Sequence, residues 1–410
     1  MVDESTSEEK TSSPARFDDN LVKRNIRKMY AIRFLINMHF IGPVLIPFFT
    51  VWGGLSMTQV MLLQAWFMAW IFLLEIPTGT IADKVGRKWS IFLGVTVNVI
   101  GVLIYTIAPE FILFLIGELL WALSAALVSG ADSAMIYDTL KSGNAEKNSK
   151  GVFNRSAILS RAALMISFPL GSVIAWLIGI KETMLFIAIP LFIGAMVAVT
   201  LHEPPVARRN TKKKYWTIMK EGLRYFFKHK RLQVLVLDNI AVHIVGYVLI
   251  WLWQIKLLDV GIGLEYFGIV QSVMMLGQIA MITQFTRLER ILRSKKRVLC
   301  FTSVGIGISM VILGFSKNQV TCIIAIITGA AFGLSRDSLF ESYFNKHLQS
   351  GERATVISTI SMLVTLSHAI INPFLGLLMD FSADLTFIAM GILAILACLL
   401  TRIKEEDLKD

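Results

Sequence analysis

Long apolar runs broken by short polar punctuation dominate the chain. Twelve of them stand out, at residues 30–52, 58–81, 89–107, 111–140, 152–178 and 184–201, then 234–257, 264–286, 298–315, 320–347, 354–379 and 385–400. A helix needs about 20 apolar residues to cross the hydrocarbon core of a bilayer, and each run approaches or exceeds that length. The fourth, fifth, tenth and eleventh runs exceed it, which predicts helices that tilt or protrude from the membrane.

Composition narrows the picture. Hydrophobic residues make up 55% of the 410 and charged residues 17%, against about 25% charged in a soluble domain. This excludes a soluble globular protein and a disordered one. A disulfide scaffold is excluded by the count of three cysteines. Cys300, Cys322 and Cys398 lie in apolar runs without metal-ligand spacing and read as buried thiols. No cofactor or metal site is indicated.

The net charge of +11 is not spread evenly. Basic clusters occupy residues 23–28, 84–88, 141–150, 208–231 and 287–297, and the loops between them at 51–56, 108–110, 181–182, 259–265 and 380–384 are nearly neutral or acidic. Alternation of this kind is the positive-inside pattern. It predicts an even number of spans with both termini in the cytoplasm, in the plasma or inner membrane, and it sets aside nucleic acid as the partner of the basic loop. The expected organisation is a disordered tail at 1–21, a first six-helix bundle at 22–201, a linker at 202–232, a second bundle at 233–403 and a short tail at 404–410. Within the linker, Trp216, Met219, Leu223 and Phe226 oppose Lys220, Arg224 and Lys228 at helical spacing. That reads as an interfacial amphipathic helix resting on anionic lipid.

The halves resemble each other at an offset of 205: Asp132-Ser133 maps onto Asp337-Ser338, and Pro169 with Gly171 maps onto Pro373 with Gly376 after a one-residue slip. The predicted fold is therefore an all-α membrane protein of twelve transmembrane helices in two pseudo-symmetric six-helix bundles. A parallel repeat of this kind places a solute site between the halves. The third, sixth, ninth and twelfth runs are almost free of ionisable residues and read as lipid-facing supports. The first, fourth, seventh and tenth carry Arg33, His39, Glu118, Asp132, Asp238, His243, Arg336, Asp337 and Glu341. Charge inside a membrane is costly and faces an aqueous cavity, so these four are expected to line a central path.

One motif carries a family name. Between the second and third runs, Gly79, Asp83, Gly86, Arg87 and Lys88 fill the pattern G-x-x-x-D-x-x-G-R-[KR]. This resembles the signature loop of the major facilitator superfamily, and the helix count, basic middle loop and repeat extend the resemblance over residues 22–403. The resemblance implies a cytoplasmic latch: Asp83 at the positive end of the eleventh helix, and Arg87 paired with Asp138 or Asp132 at the end of the fourth. A Pro169–Gly171 stretch on the fifth helix retains part of the drug/proton antiporter signature. The usual basic residue of the fourth helix is missing, with Glu118 present instead.

The remaining candidates are weighed against plainer roles. Glu118 sits among apolar neighbours in the outer third of its helix, where a carboxyl suits proton binding and release, or bonds a neighbouring helix. Arg33 and Asp238, 205 positions apart, are expected to bridge the two bundles. Arg161 needs an anion, either Asp132 or a substrate. His39, His243 and His368 fall mid-helix and titrate in the physiological range if exposed, although a lone membrane histidine is more often a packing residue. Gln271 and Gln278 are suited to hydrogen-bond a solute. Trp251 and Trp253 read as an interfacial belt. Arg336, Asp337 and Glu341 read as a gate network at the inner end of the tenth helix.

The resulting expectation is a monomeric secondary transporter, not an enzyme. It moves a small solute by alternating access, with protons as the coupling ion, and exports drug-like or amphipathic compounds. The alternative is symport of a metabolite inward. No phosphate-binding loop of a primary pump and no catalytic motif of a membrane hydrolase occurs. A channel or scramblase remains the remote rival.

Overall fold

The computed structural model describes residues 17–205, 220, 224–346, 353–401, 403–405 and 408. Its helices are α1 (Asp19–Ile36), α2 (Met57–Val85), α3 (Arg87–Tyr105), α4 (Phe111–Ser142), α5 (Ser149–Leu177) and α6 (Ile180–Val199) in the first half. The second half has α7 (Lys230–Asp259), α8 (Phe267–Leu292), α9 (Lys295–Phe315), α10 (Gln319–Leu334, resuming after Ser335 as Arg336–Lys346), α11 (Arg353–Phe381) and α12 (Ala383–Leu400). Among the described residues, eleven helices are long and apolar enough to cross a membrane.

The first rod is the exception, and its sequence explains why. The apolar run 30–52 predicts one helix, yet α1 stops at Ile36 and short turns follow at Gly42–Val44, Leu45–Pro47 and Phe48–Trp52. Pro43 and Pro47 lack the N–H that a continuous helix requires. Asn37 ends α1 and donates from Nδ2 to the Arg33 carbonyl at 2.7 Å. Irregular backbone at this depth is tolerated only where it faces protein or a water-filled cavity.

Side-chain caps fix the start of α2 and of α3. Ser56 and Gln59 form a reciprocal box at the start of α2, through Ser56 N to Gln59 Oε1 at 3.0 Å and Gln59 N to Ser56 Oγ at 3.2 Å. Between α2 and α3 the chain turns at Gly86 with φ of 104°, a conformation that only glycine adopts without strain. The Glu203 carboxylate then accepts from the backbone N–H groups of Arg87 and Lys88, both at 2.8 Å, and caps α3.

α3 packs on α4 and α6, and α9 packs on α10 and α12. Their outward faces are apolar and uncovered, with Ile100, Ile189, Phe192, Ile308, Ile392 and Leu399 all exposed. Such extended apolar surface marks contact with lipid. The halves meet along two seams, α2 against α11 and α5 against α8. Of the linker, 206–219 and 221–223 lie outside the described residues. Residues 224–228 are helical, and Phe226 is buried against α7, α8 and α9 in a second apolar cluster. That side chain therefore packs on protein, where lipid contact was expected.

Candidate functional site

The break in α1 opens onto a cavity of about 330 Å³ between the halves. Asn37, His39 and Phe168 line it from the first half, and Trp251, Gln254 and Gln271 from the second. At the end of the bundle away from the basic loops, three sets of hydrogen bonds close it. Gln254 of α7 inserts its amide into the broken first rod: Ile46 N donates to Oε1 at 2.9 Å, and Nε2 donates to the Gly42 carbonyl at 3.2 Å. Those two backbone groups are four residues apart and would bond each other in a regular helix, so a side chain from the opposite half replaces one rung. Asp380, at the end of α11, accepts from Met57 N at 2.7 Å and Thr58 N at 2.8 Å at the start of α2. Ser172 Oγ accepts from Gly268 N at 2.6 Å on the second seam. Glycine allows the closest approach at each seam: a Cβ on Gly376 would lie 2.6 Å from Thr58 Cα, and one on Gly268 would collide with the Phe168 carbonyl. These five hydrogen bonds between the halves all lie at this end.

Toward the basic end, each half presents a polar wall. Arg33 pairs with Asp132 at 2.8 Å and donates to Ser156 at 3.0 Å and Ser133 at 3.1 Å. Opposite, His243 Nδ1 lies 3.0 Å from Asp337, its ring 5.2 Å from that of His368. The His368 ring lies 4.3 Å from Tyr247, whose hydroxyl accepts from Asn372 at 3.0 Å.

The bridge expected between Arg33 and Asp238 does not form. Asp238 pairs with Arg336 at 3.0 Å inside the second half, as Arg33 pairs with Asp132 inside the first. The repeat thus keeps an ion pair between its first and fourth helices but exchanges the charges. Arg336 is also not a gate residue by its surroundings. It is 2% exposed and donates to the Leu299 carbonyl, Thr302 and Ser303 at 2.6–2.7 Å. A buried guanidinium needs that many acceptors to offset its lost hydration, and the result ties α7, α9 and α10 together.

Glu118 is buried in α4 and accepts from Gln64 Nε2 at 3.2 Å. It does not line the cavity; one turn further on, Trp121 stacks on His39, centroids 5.8 Å apart, and His39 does. Arg161 is exposed and makes no ion pair among the described residues, Asp132 being held by Arg33. Gln271 lines the cavity, and Gln278, two turns along, does not. Among the described residues no group of three or more His, Cys, Asp or Glu is arranged to hold a metal. In the signature loop, Arg87 forms an ion pair with Asp138 and donates to the Ala134 carbonyl at 2.9 Å. The surroundings of Gly79 and the side chains of Asp83 and Glu341 lie outside the described residues.

Several residues of the site escaped the sequence reading. Trp251 and Trp253 are 7% and 1% exposed and face the cavity rather than a membrane surface, because α7 is a lining helix. Gln254 follows them in an apolar run, and the rule that singled out Gln271 applies equally to it. Asn37 and Asp380 had no such signal. Both sit where a helix ends, and their partners are backbone groups that sequence does not reveal.

A model of the Major Facilitator Superfamily matches residues 30–255 and 240–409. The chain belongs to the Major Facilitator Superfamily. An uncharacterized MFS-type transporter of Bacillus subtilis (strain 168), YxaM, is 22% identical over 357 residues, covering 82% of this chain and 85% of its own. The superfamily fold is equally evident in solved structures. The nucleoside transporter NupG superposes with a TM-score of 0.76 at 13% identity, over 94% of this chain and 100% of its own. The D-xylose-proton symporter gives 0.72 at 12%, over 95% and 99%. A bacterial homolog of the human lysosomal transporter Spinster, inward-facing and unoccupied, gives 0.74 at 16%, over 95% and 98%.

Proposed function

We propose that this chain is a proton-coupled secondary carrier that takes up a compact polar solute by alternating access. The observation that carries this reading is the cavity at the break in α1, closed at one end by Gln254, Asp380 and Ser172 bonding across the halves. A site between two bundles, gated by backbone–side-chain hydrogen bonds, suits rigid-body rocking of the halves about a fixed centre. The positive-inside pattern assigns the basic end to the cytoplasm, so this conformation is closed to the outside.

The size and lining of the cavity favour metabolite symport over the export of drug-like compounds. About 330 Å³ is at the small end for ligand pockets, and Asn37, Gln254 and Gln271 give it amide character. The fold relatives that carry nucleosides and D-xylose are compatible with this. Glu118 is our choice of proton site: a buried carboxyl beside Gln64, joined through Trp121 and His39 to the cavity wall. One charge crossing 100 mV is worth about 2.3 kcal/mol, enough to drive accumulation.

Reconstituted protein in sealed vesicles is expected to give saturable flux that rises with an inward proton gradient. In Glu118→Gln that dependence should vanish while solute binding persists. Ohmic current without saturation would contradict the carrier reading, and unchanged gradient-driven flux in the variant would remove Glu118 from its role.

A further inference from the structure

Arg161 differs from the other charges of the crevice. Arg33 holds Asp132, His243 holds Asp337 and Arg336 holds Asp238, whereas Arg161 is exposed and has no ion pair among the described residues. Asp132, the carboxylate that the sequence offered it, is already taken by Arg33. Arg161 lies 16 residues before Leu177, the end of α5 away from the basic loops, or about 24 Å of helix rise. That depth is inside a hydrocarbon core of about 30 Å. A cation placed there is costly and faces an aqueous cavity or a counter-charge.

The helix face settles where the guanidinium belongs. Arg161, Leu164 and Phe168 recur at three and four residues and share one face of α5, and Leu164 and Phe168 line the cavity. Ile166, Leu170 and Val173 are exposed on the lipid side, roughly half a turn around the helix. Arg161 therefore sits on the crevice wall, one turn from the cavity toward the basic end. On α8, Gln271 lines the cavity close to Phe168: a Cβ on Gly42 would lie 2.6 Å from the Phe168 ring and 3.6 Å from Gln271 Oε1. Gln278 follows on the same face of α8, as far from Gln271 as Arg161 is from Phe168, which puts it at the depth of Arg161 on the second wall. Between these depths and the closed end, Leu45, Leu164, Phe168 and Ile250 make much of the lining apolar, and no acidic, lysine or arginine side chain joins them. Asp337, 53% exposed on the second wall, disfavours any second negative charge.

Resting on the carrier reading above, we propose that the solute is a compact monocarboxylate with an apolar body, and that Arg161 is its counter-charge. The body lies in the cavity against Leu164, Phe168 and Ile250. The carboxylate points toward the basic end and meets the guanidinium, whose two parallel N–H groups match its two oxygens; Gln278 supplies a further donor. A sugar leaves Arg161 unmatched, a cation is repelled by it, and a dianion brings its second charge toward Asp337. The coupled proton offsets the charge that such an anion carries against a negative-inside potential.

The test uses the full-length protein, purified and also reconstituted, with benzoate as the probe. Benzamide, its neutral isostere, benzylammonium and the dianion terephthalate are the comparison compounds. Benzoate is expected to bind saturably by calorimetry and to raise the melting temperature, with benzamide about tenfold weaker or more and the other two weaker still. In Arg161→Gln the benzoate affinity should fall to that of benzamide, while benzamide binding and the unliganded melting temperature stay as in the parent. Arg161→Lys, which keeps the charge without the fork, should recover part of the preference. Arg155→Gln, at an exposed arginine near the start of α5, should bind benzoate as the parent does. Absence of saturable benzoate binding, equal affinity for benzamide, or a full benzoate preference in Arg161→Gln (as for an arginine that only closes the basic end) each overturns this assignment and leaves the carrier reading standing. Unsaturable conductance through the reconstituted vesicles would instead overturn the carrier reading.

Discussion

Arg336 and Arg33 show how differently the same residue type is used in the two halves. Arg336 is enclosed, with Asp238 as its counter-charge and three neutral acceptors. Arg33 is half-buried at the crevice wall, paired with Asp132 and two serines. Asp238→Asn therefore leaves a buried cation uncompensated. A loss of about 3–5 kcal/mol is expected, read as a lower melting temperature, with the surviving folded protein still able to bind solute. At this scale the sequence revealed which residues were out of place in a membrane but not whom they meet. Arg33 and Asp238 are each three helices away from their true partners, and the offset of 205 pointed them at each other because it relates equivalent positions, not adjacent ones. Lys317 lies outside the spans, where Asp259 and Asp384 accept from it and hold its proton beyond the ordinary lysine range. The folded form gains from the protonated lysine below its ordinary value of 10.5 and loses that gain only as pH rises past the raised one. pH dependence of transport near neutrality thus has to arise elsewhere.

At the scale of elements, the broken first rod is the part that hydropathy could not resolve. Averaged over residues 30–52, the segment is simply apolar, and Pro43 and Pro47 are each tolerable in a membrane helix. Only the presence of Gln254 opposite, bonding both Gly42 and Ile46, makes the break stable. Eleven of the twelve runs, the support role of α3, α6, α9 and α12, and the turn at Gly86 were legible because each follows from local composition. The closures were not, since a cap such as Asp380 on Met57 and Thr58 joins positions over 300 residues apart. Both contacts hold the end away from the basic loops shut, one as a carboxylate at a helix N-terminus and one as a spliced rung. Gln254→Leu and Asp380→Asn should each shift the population toward the form open at that end. Spin labels at the exposed Val51, before α2, and Phe381, at the end of α11, should report a longer distance in either variant. An unaltered distance distribution in both would show that these bonds are not the closure.

For the whole molecule, the central claim is that two six-helix bundles open one cavity to one compartment at a time. The two seams and the closures at the end away from the basic loops follow if the halves turn about the cavity rather than part from it. Leu164 lines that cavity from α5 and gives a direct readout. In a background lacking Cys300, Cys322 and Cys398, Leu164→Cys should react with a membrane-impermeant thiol reagent applied on the basic-loop side of sealed vesicles and resist it on the other. Adding Asp380→Asn and Gln254→Leu should reverse that preference. Equal reaction from both sides in the same preparation, with no response to the closing bonds, would contradict alternating access.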